Sequence, residues 1–249
     1  MASILQYKAG MSNGFFIRDK KTVCVDSGAL LGPDHFLAAC DSCGVRPEEV
    51  SLIIVTHAHV DHFVNADEMR KLTGAPILCH EAARDTLVNA KLPVCYPRSE
   101  LGERVDAFRI KMTELHGEPV PYLPPMTPDI TFTGEYDLTP WGVDGRIIET
   151  FGHSLTCTSV VLDDRQAILG DICVDDEFTD GVPTLTYFGF DPDRRKANDM
   201  LFPACDKLLE LADTFYSGHG GPFTREQFAA ALAAARAEDR AFRETADNT

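Results

Sequence analysis

Thr56-His57-Ala58-His59-Val60-Asp61-His62 places four metal-binding side chains within six residues. The motif begins where the continuous apolar run Ser51–Thr56 predicts a strand buried on both faces. Because residues i and i+2 of an extended chain point to the same side, His57 and His59 can converge on one ion. Asp61 and His62 lie where the chain turns into the next predicted helix, so they can face a second ion. Imidazole and carboxylate ligands suit Zn²⁺ or iron.

Three more residues of the same chemistry follow later predicted strands. They are His153, Asp171 and His219, and each has a glycine beside it. Glycine lets the backbone approach a crowded site closely. Taken alone, each residue is more typical of a loop or of a buried polar position. Together with the histidine cluster they indicate a larger site.

The order of the predicted elements indicates an α/β protein with two sheets packed together and helices outside them, in a single domain over residues 1–249. The predicted strands are Gly14–Arg18, Thr22–Asp26, Ser51–Thr56, Pro76–Cys79, Arg146–Thr150, Thr158–Leu162, Gln166–Leu169 and Asp213–Ser217. The predicted helices are His35–Cys43, Asp61–Leu72, Glu81–Leu87, Pro192–Leu211 and Thr224–Arg243.

The stretch from about 91 to 139 breaks this order. It holds seven of the fifteen prolines and shows little periodicity, which predicts a long excursion over the surface on the substrate side. His116 lies within it and is a weak candidate for a substrate contact. Tyr187, with Phe188 and Phe190 beside it, is a second weak candidate, and core packing is the alternative for this aromatic cluster.

Composition limits the partners. The chain has 249 residues with 23 Lys and Arg against 39 Asp and Glu, a formal charge of −16, which argues against nucleic acid and favours a small-molecule substrate.

No apolar run is long enough to span a membrane, and the N-terminal residues lack a secretory signal. We therefore expect a cytoplasmic protein whose eight cysteines are reduced. The oligomeric state does not follow from these observations.

The metal-competent positions resemble those of the metallo-β-lactamase superfamily of binuclear metal hydrolases. The HxHxDH signature is matched at positions 57 to 62. The family's later histidine is matched by His153, its bridging aspartate by Asp171 and its final histidine by His219. The Val23–Gly28 segment also resembles an early family element. The resemblance runs from about Asn13 to Phe223. It implies a four-layer αβ/βα sandwich of two mixed sheets flanked by helices, with the metals at one edge between the sheets.

The resemblance also implies two divalent metal ions, with Zn²⁺ expected and iron or manganese as alternatives. One ion would be held by His57, His59 and His153, the second by Asp61, His62 and His219, with Asp171 bridging them. Two departures from the family pattern stand out. Ser154–Cys157 replaces a glycine-rich tail that often follows the third histidine. Asp171 stands where one branch of true β-lactamases has cysteine, which argues against antibiotic hydrolysis.

The ligand set predicts hydrolysis by a metal-bridging hydroxide, because bound metal lowers the pKa of water to about 7. Asp61 is the predicted catalytic residue, orienting the nucleophile and accepting its proton. We expect a small acyl substrate, namely a thioester, lactone or related ester. A phosphodiesterase or nuclease would need a basic patch, and the best candidate, residues 193–196, is short and flanked by acids. An iron-dependent oxidoreductase and a non-enzymatic metal-binding module are the remaining alternatives.

Overall fold

Two six-stranded mixed sheets form the centre of the computed structural model, which describes residues 1–28, 32–89, 125–177, 179–187 and 194–246. The first sheet has the order β1-β2-β3-β4-β5-β6, with strands β1 Ser3–Ala9, β2 Ser12–Arg18, β3 Thr22–Val25, β4 Val50–Val55, β5 Ile77–His80 and β6 Ile130–Phe132. Strands β3 to β6 run parallel to one another, and β1 to β3 form an antiparallel meander.

The second sheet has the order β14-β13-β10-β9-β8-β7. Its strands are β7 Glu135–Asp137, β8 Gly145–Glu149, β9 Thr158–Leu162, β10 Gln166–Ile168, β13 Thr214–Tyr216 and β14 Phe223–Thr224. Only the β10–β13 pair within it is parallel. A two-stranded ribbon, β11 Cys173–Val174 with β12 Thr184–Leu185, stands beside this sheet.

Helices cover the outer face of each sheet. They are α1 Pro33–Cys43, α2 Val60–Phe63, α3 Ala66–Thr73, α4 Arg84–Asn89, α5 Arg194–Leu211 and α6 Arg225–Ala246. Phe36 and Met69, from α1 and α3, pack in the core outside the first sheet, and Leu201 and Phe228, from α5 and α6, pack in the core outside the second. The predicted four-layer sandwich is confirmed.

The apolar run of β4 shows why the strands are buried on both faces. Leu52 and Ile54 point into the core between the two sheets, whereas Ile53 and Val55 point toward the helices. Alternation along the strand therefore places each residue from 52 to 55 in one of two cores. The same alternation divides β2, where Phe15 faces the other sheet and Phe16 faces α1.

The structure corrects two predictions. Residues 130–139 are not part of a surface excursion, because they contain two edge strands. β6 pairs with β5 at the edge of the first sheet, and β7 pairs with β8 at the edge of the second. Residues 90–124 of the predicted excursion lie outside the described residues. The helix predicted over Asp61–Leu72 is two helices, because the Asn65 amide donates to Gly28 O instead of continuing the helical ladder, and Asp61 O accepts from Ser12 Oγ.

None of the helices described by the structure has an apolar stretch long enough to cross a membrane.

Candidate metal centre

Four strands end at the same edge of the sandwich, and the predicted site residues follow them directly. His57 comes two residues after β4, His153 four residues after β8, and Asp171 three residues after β10. His219 follows β13, which runs parallel to β10 with Ile168 opposite Tyr216. The amide of Thr158 donates to Thr56 O at 2.9 Å and joins the two sheets at this edge.

The structure brings together all seven side chains that the sequence singled out. They form two groups whose ligand atoms all lie within 4.8 Å of one another, namely His57, His59, His153 and Asp171 in the first group and Asp61, His62, Asp171 and His219 in the second. Asp171 belongs to both. We call these the first and second donor groups.

The first donor group is a convergence of three imidazole nitrogens. His57 Nε2 lies 3.0 Å from His59 Nδ1, and His153 Nε2 lies 2.9 Å from the same atom. His57 and His153 are both almost completely buried. Burial lowers the pKa of all three histidines, so they are neutral and offer lone pairs.

The second donor group pairs two carboxylates with two histidines. His219 Nε2 lies 2.9 Å from Asp61 Oδ2 and 3.4 Å from Asp171 Oδ2, and His62 Nε2 lies 3.2 Å from Asp171 Oδ2. Burial by itself would lower the pKa of His219, but Asp171 and Asp61 outweigh it and raise the pKa to about 10. Burial likewise opposes the raised pKa of His62, and Asp171 is the strongest charge favouring its protonated form.

The donor chemistry fits a pair of cations. The first donor group directs three ring nitrogens at one another, with His57 Nε2 and His153 Nε2 at 3.0 and 2.9 Å from His59 Nδ1. Asp171 Oδ1 is buried and has no hydrogen-bond partner among the residues that the structure describes, and Oδ2 of the same carboxylate faces histidines of both groups. Convergent lone pairs and a buried carboxylate are costly unless a positive charge compensates them.

Three buried residues around the centre were not picked out as site residues from the sequence. Asp26 Oδ2 accepts from His62 Nδ1 at 2.7 Å and from Thr56 Oγ1 at 2.8 Å. Thr56 Oγ1 lies 3.0 Å from His57 Nδ1. Thr186 Oγ1 lies 2.7 Å from His153 Nδ1. An aspartate directly after the buried strand β3 is a signal for the first of these, whereas nothing in the sequence marks the two threonines.

The weaker candidates fall in three places. His116, with Phe188 and Phe190, lies outside the described residues. Tyr187 is half-buried against the core of the second sheet and follows Thr186, so it stays a candidate. Cys173, two residues after Asp171 and a further thiol close to the centre, is completely buried in that same core, and burial raises the pKa of its thiol.

Residues 7–219 match the family model of the metallo-beta-lactamase superfamily. The chain belongs to this superfamily. A UPF0173 metal-dependent hydrolase of Archaeoglobus fulgidus is 46% identical over 54 residues, which is 20% of this chain and 23% of that protein. The aligned part is therefore less than a quarter of that relative.

Solved structures show the same fold at low identity. The BLEG-1 B3 metallo-beta-lactamase is 20% identical with a TM-score of 0.64, over 90% of this chain and 95% of that one. MIM-1 from Novosphingobium pentaromativorans is 19% identical with a TM-score of 0.65, over 98% and 92%. TTHA1623, solved in a di-iron-bound form, is 18% identical with a TM-score of 0.62, over 91% and 96%.

Proposed function

We propose that this protein is a metal-dependent hydrolase of small acyl compounds, namely thioesters, lactones or related esters. The observation that carries the proposal is the sharing of Asp171 between two donor groups, because one carboxylate between two groups suits two neighbouring cations. We assign His57, His59 and His153 to one ion, and Asp61, His62 and His219 to the other. Zn²⁺ is the cation that we propose first, with iron and manganese as alternatives.

Divalent cations in these groups would supply a nucleophile from water near neutral pH and polarise the carbonyl oxygen of the substrate. The residues of the chain hold and orient the reacting groups. His57 and His62 have side chains that are 0% exposed, whereas the side chain of Asp61 is 14% exposed. Asp61 is also more accessible than the other carboxylate of the centre, Asp171, whose side chain is 8% exposed, and we assign to Asp61 the proton that leaves the attacking water.

The charge around the centre supports a small acyl substrate. Asp176 Oδ2 lies 3.6 Å from His219 Nδ1, and Asp175 also lies beside this loop, where its Oδ1 accepts from the Gly221 amide at 2.7 Å. Within the described residues, Asp61 and Asp171 form their ion pairs with histidines. An edge with this many carboxylates on a chain of charge −16 disfavours a polyanionic substrate.

A substrate panel tests the proposal directly. Protein reconstituted with Zn²⁺, iron or Mn²⁺ is assayed against thioesters, lactones and bis-p-nitrophenyl phosphate, and turnover of an acyl compound is the expected result. Turnover of the phosphodiester alone would overturn the acyl assignment in favour of a phosphodiesterase. Absence of any turnover by a fully loaded protein would favour a metal-binding module without hydrolytic activity.

Asp61→Asn supplies the matched variant for that assay. We expect kcat to fall roughly 10²- to 10⁴-fold, because an amide cannot take up the proton. Asp34→Asn is the control, since Asp34 is an exposed carboxylate in the first turn of α1. Equal activity of Asp61→Asn and wild type at equal metal content would remove Asp61 from the mechanism.

A further inference from the structure

The hydroxyl of Thr186 joins the two parts of the chain that meet at the first donor group. Thr186 is 2% exposed and immediately follows β12. Its Oγ1 donates to the main-chain oxygen of Asp171 and lies 2.7 Å from His153 Nδ1. Asp171 is 15 residues away along the chain and His153 is 33 residues away. One hydroxyl therefore contacts the shared aspartate and a histidine of the first donor group.

The direction of these bonds determines which nitrogen of His153 carries the proton. A carbonyl oxygen only accepts, so the single hydroxyl proton of Thr186 is committed to Asp171. The hydroxyl can then only accept from the imidazole, which places a proton on His153 Nδ1. The other nitrogen, Nε2, keeps its lone pair and is the atom that lies 2.9 Å from His59 Nδ1.

The backbone holds this hydroxyl in a defined place. β11 and β12 pair with Cys173 opposite Leu185 and Val174 opposite Thr184. The Thr186 amide extends this ribbon by donating to Ile172 O at 3.0 Å. The ribbon thus brings Thr186 back to the residues next to Asp171. Main-chain hydrogen bonds therefore fix the position of Thr186.

We propose that Thr186 is a positioning residue that holds His153 in the Nδ1–H tautomer, so that Nε2 keeps a lone pair to offer to a cation of the first donor group. The inference rests on the proposed metal function of His153. Valine at position 186 has nearly the shape of threonine but leaves both His153 Nδ1 and Asp171 O without this partner. His153 could then carry its proton on Nε2, hydrogen-bonded to His59, and would lose the lone pair that faces the cation.

The first test reads the tautomer in metal-free protein. Long-range proton–nitrogen correlation NMR of ¹⁵N-histidine-labelled protein, with His153 assigned by its loss in His153→Gln, should show Nδ1 protonated in wild type and in Thr186→Ser. Thr186→Val should shift the population toward Nε2–H. Wild-type His153 protonated at Nε2, or no difference between wild type and Thr186→Val, would overturn the proposal.

The second test reads metal retention. Zinc competition with a chelator should show affinity at one of two sites reduced roughly 10- to 100-fold in Thr186→Val and restored in Thr186→Ser. Thr184→Val is the matched control, because its hydroxyl donates to Val182 O and not to the centre. Circular dichroism establishes that each variant is folded. Equal zinc loss in folded Thr186→Ser and Thr186→Val would contradict the proposal, because the hydroxyl would then not be the cause.

Both measurements are made without substrate, so a negative result in the acyl assay does not change what they show about Thr186. If wild-type protein binds no zinc, the proposed function fails while the tautomer is still measured.

Discussion

His62 Nδ1 lies 2.7 Å from Oδ2 of Asp26, 36 residues earlier in the chain, and both side chains are completely buried. The same carboxylate oxygen accepts from Thr56 Oγ1, and Oδ1 accepts from the Thr56 amide. Asp26 therefore turns His62 Nε2 toward Asp171 and at the same time fixes the end of β4. A residue outside the two donor groups thus determines the orientation of a histidine in the second group and the start of the histidine motif.

Asp26→Asn should loosen both the orientation of His62 and the end of β4. An asparagine side chain has one oxygen and one NH₂ group, so either the Thr56 amide or both the Thr56 hydroxyl and His62 Nδ1–H lose their acceptor in a dry environment. We expect the free energy of unfolding to fall by about 1–3 kcal/mol and metal affinity to fall roughly 10- to 100-fold. Urea unfolding and chelator competition measure the two effects. Asp34→Asn is the control, and a similar response from both variants would show that Asp26 has no special role.

Gly218 is the second position where we expect a sharp effect. A Cβ on Gly218 would overlap Asp171 Oδ1 and lie 2.6 Å from His62 Cε1. Gly218→Ala should therefore displace the shared carboxylate and reduce metal affinity at least tenfold, with about 1–3 kcal/mol lost from stability. Isothermal titration with Zn²⁺ provides the measurement.

Gly32→Ala is the matched control for this variant. A Cβ on Gly32 meets no atom of the described part of the chain within 4 Å, and its φ of −73° suits any residue. Unchanged zinc affinity in Gly218→Ala would mean that Asp171 can move without affecting the centre.

Glu149 gives a prediction about pH. Its carboxylate accepts hydrogen bonds from the Gly134 amide at 2.6 Å and from His80 Nε2 at 2.8 Å. The hydrogen bond from the Gly134 amide is the main cause of the lowered pKa of Glu149. A carboxylate with a lowered folded-state pKa stabilises the fold above its unfolded pKa and loses that contribution as pH falls through the folded pKa. Its contribution is therefore complete above about pH 5.

Urea midpoints of metal-free wild type and Glu149→Gln test this at pH 7 and at pH 4. The difference between the two proteins should be larger at pH 7 and shrink toward pH 4. Glu48→Gln, at a side chain that is 70% exposed, is the control. A difference that stays constant or grows on acidification would contradict the prediction.

The sequence predicts best what depends on local pattern. The apolar run at 51–56 corresponds to β4 within one residue, because the four consecutive apolar side chains at 52–55 are buried on both faces of the sheet. The edge strands escape prediction because their pattern is weak. β1 alternates imperfectly and exposes Ser3, Gln6 and Lys8, and β6 has only three residues in a proline-rich stretch.

The candidate site likewise has one part that the sequence predicts and one part that depends on tertiary structure. The seven side chains of the two donor groups are marked by residue type, four of them by the HxHxDH spacing and the other three by neighbouring glycines. The partners that orient them are ordinary residues whose role comes from tertiary structure, as with Thr186, which reaches His153 only through the pairing of β11 with β12. The break at Asn65 has the same origin, because its side chain donates to Ser27 O at 3.1 Å across the turn after β3.

The metal content of purified protein, measured beside that of the double variant His57→Ala with Asp61→Ala, shows whether the two donor groups hold cations. We expect about two divalent ions per wild-type chain. We also expect loss of metal from the double variant, which removes one side chain from each donor group. Wild-type protein that takes up no divalent metal, or a folded double variant that retains as much metal as wild type, would show that the two donor groups are not a metal centre.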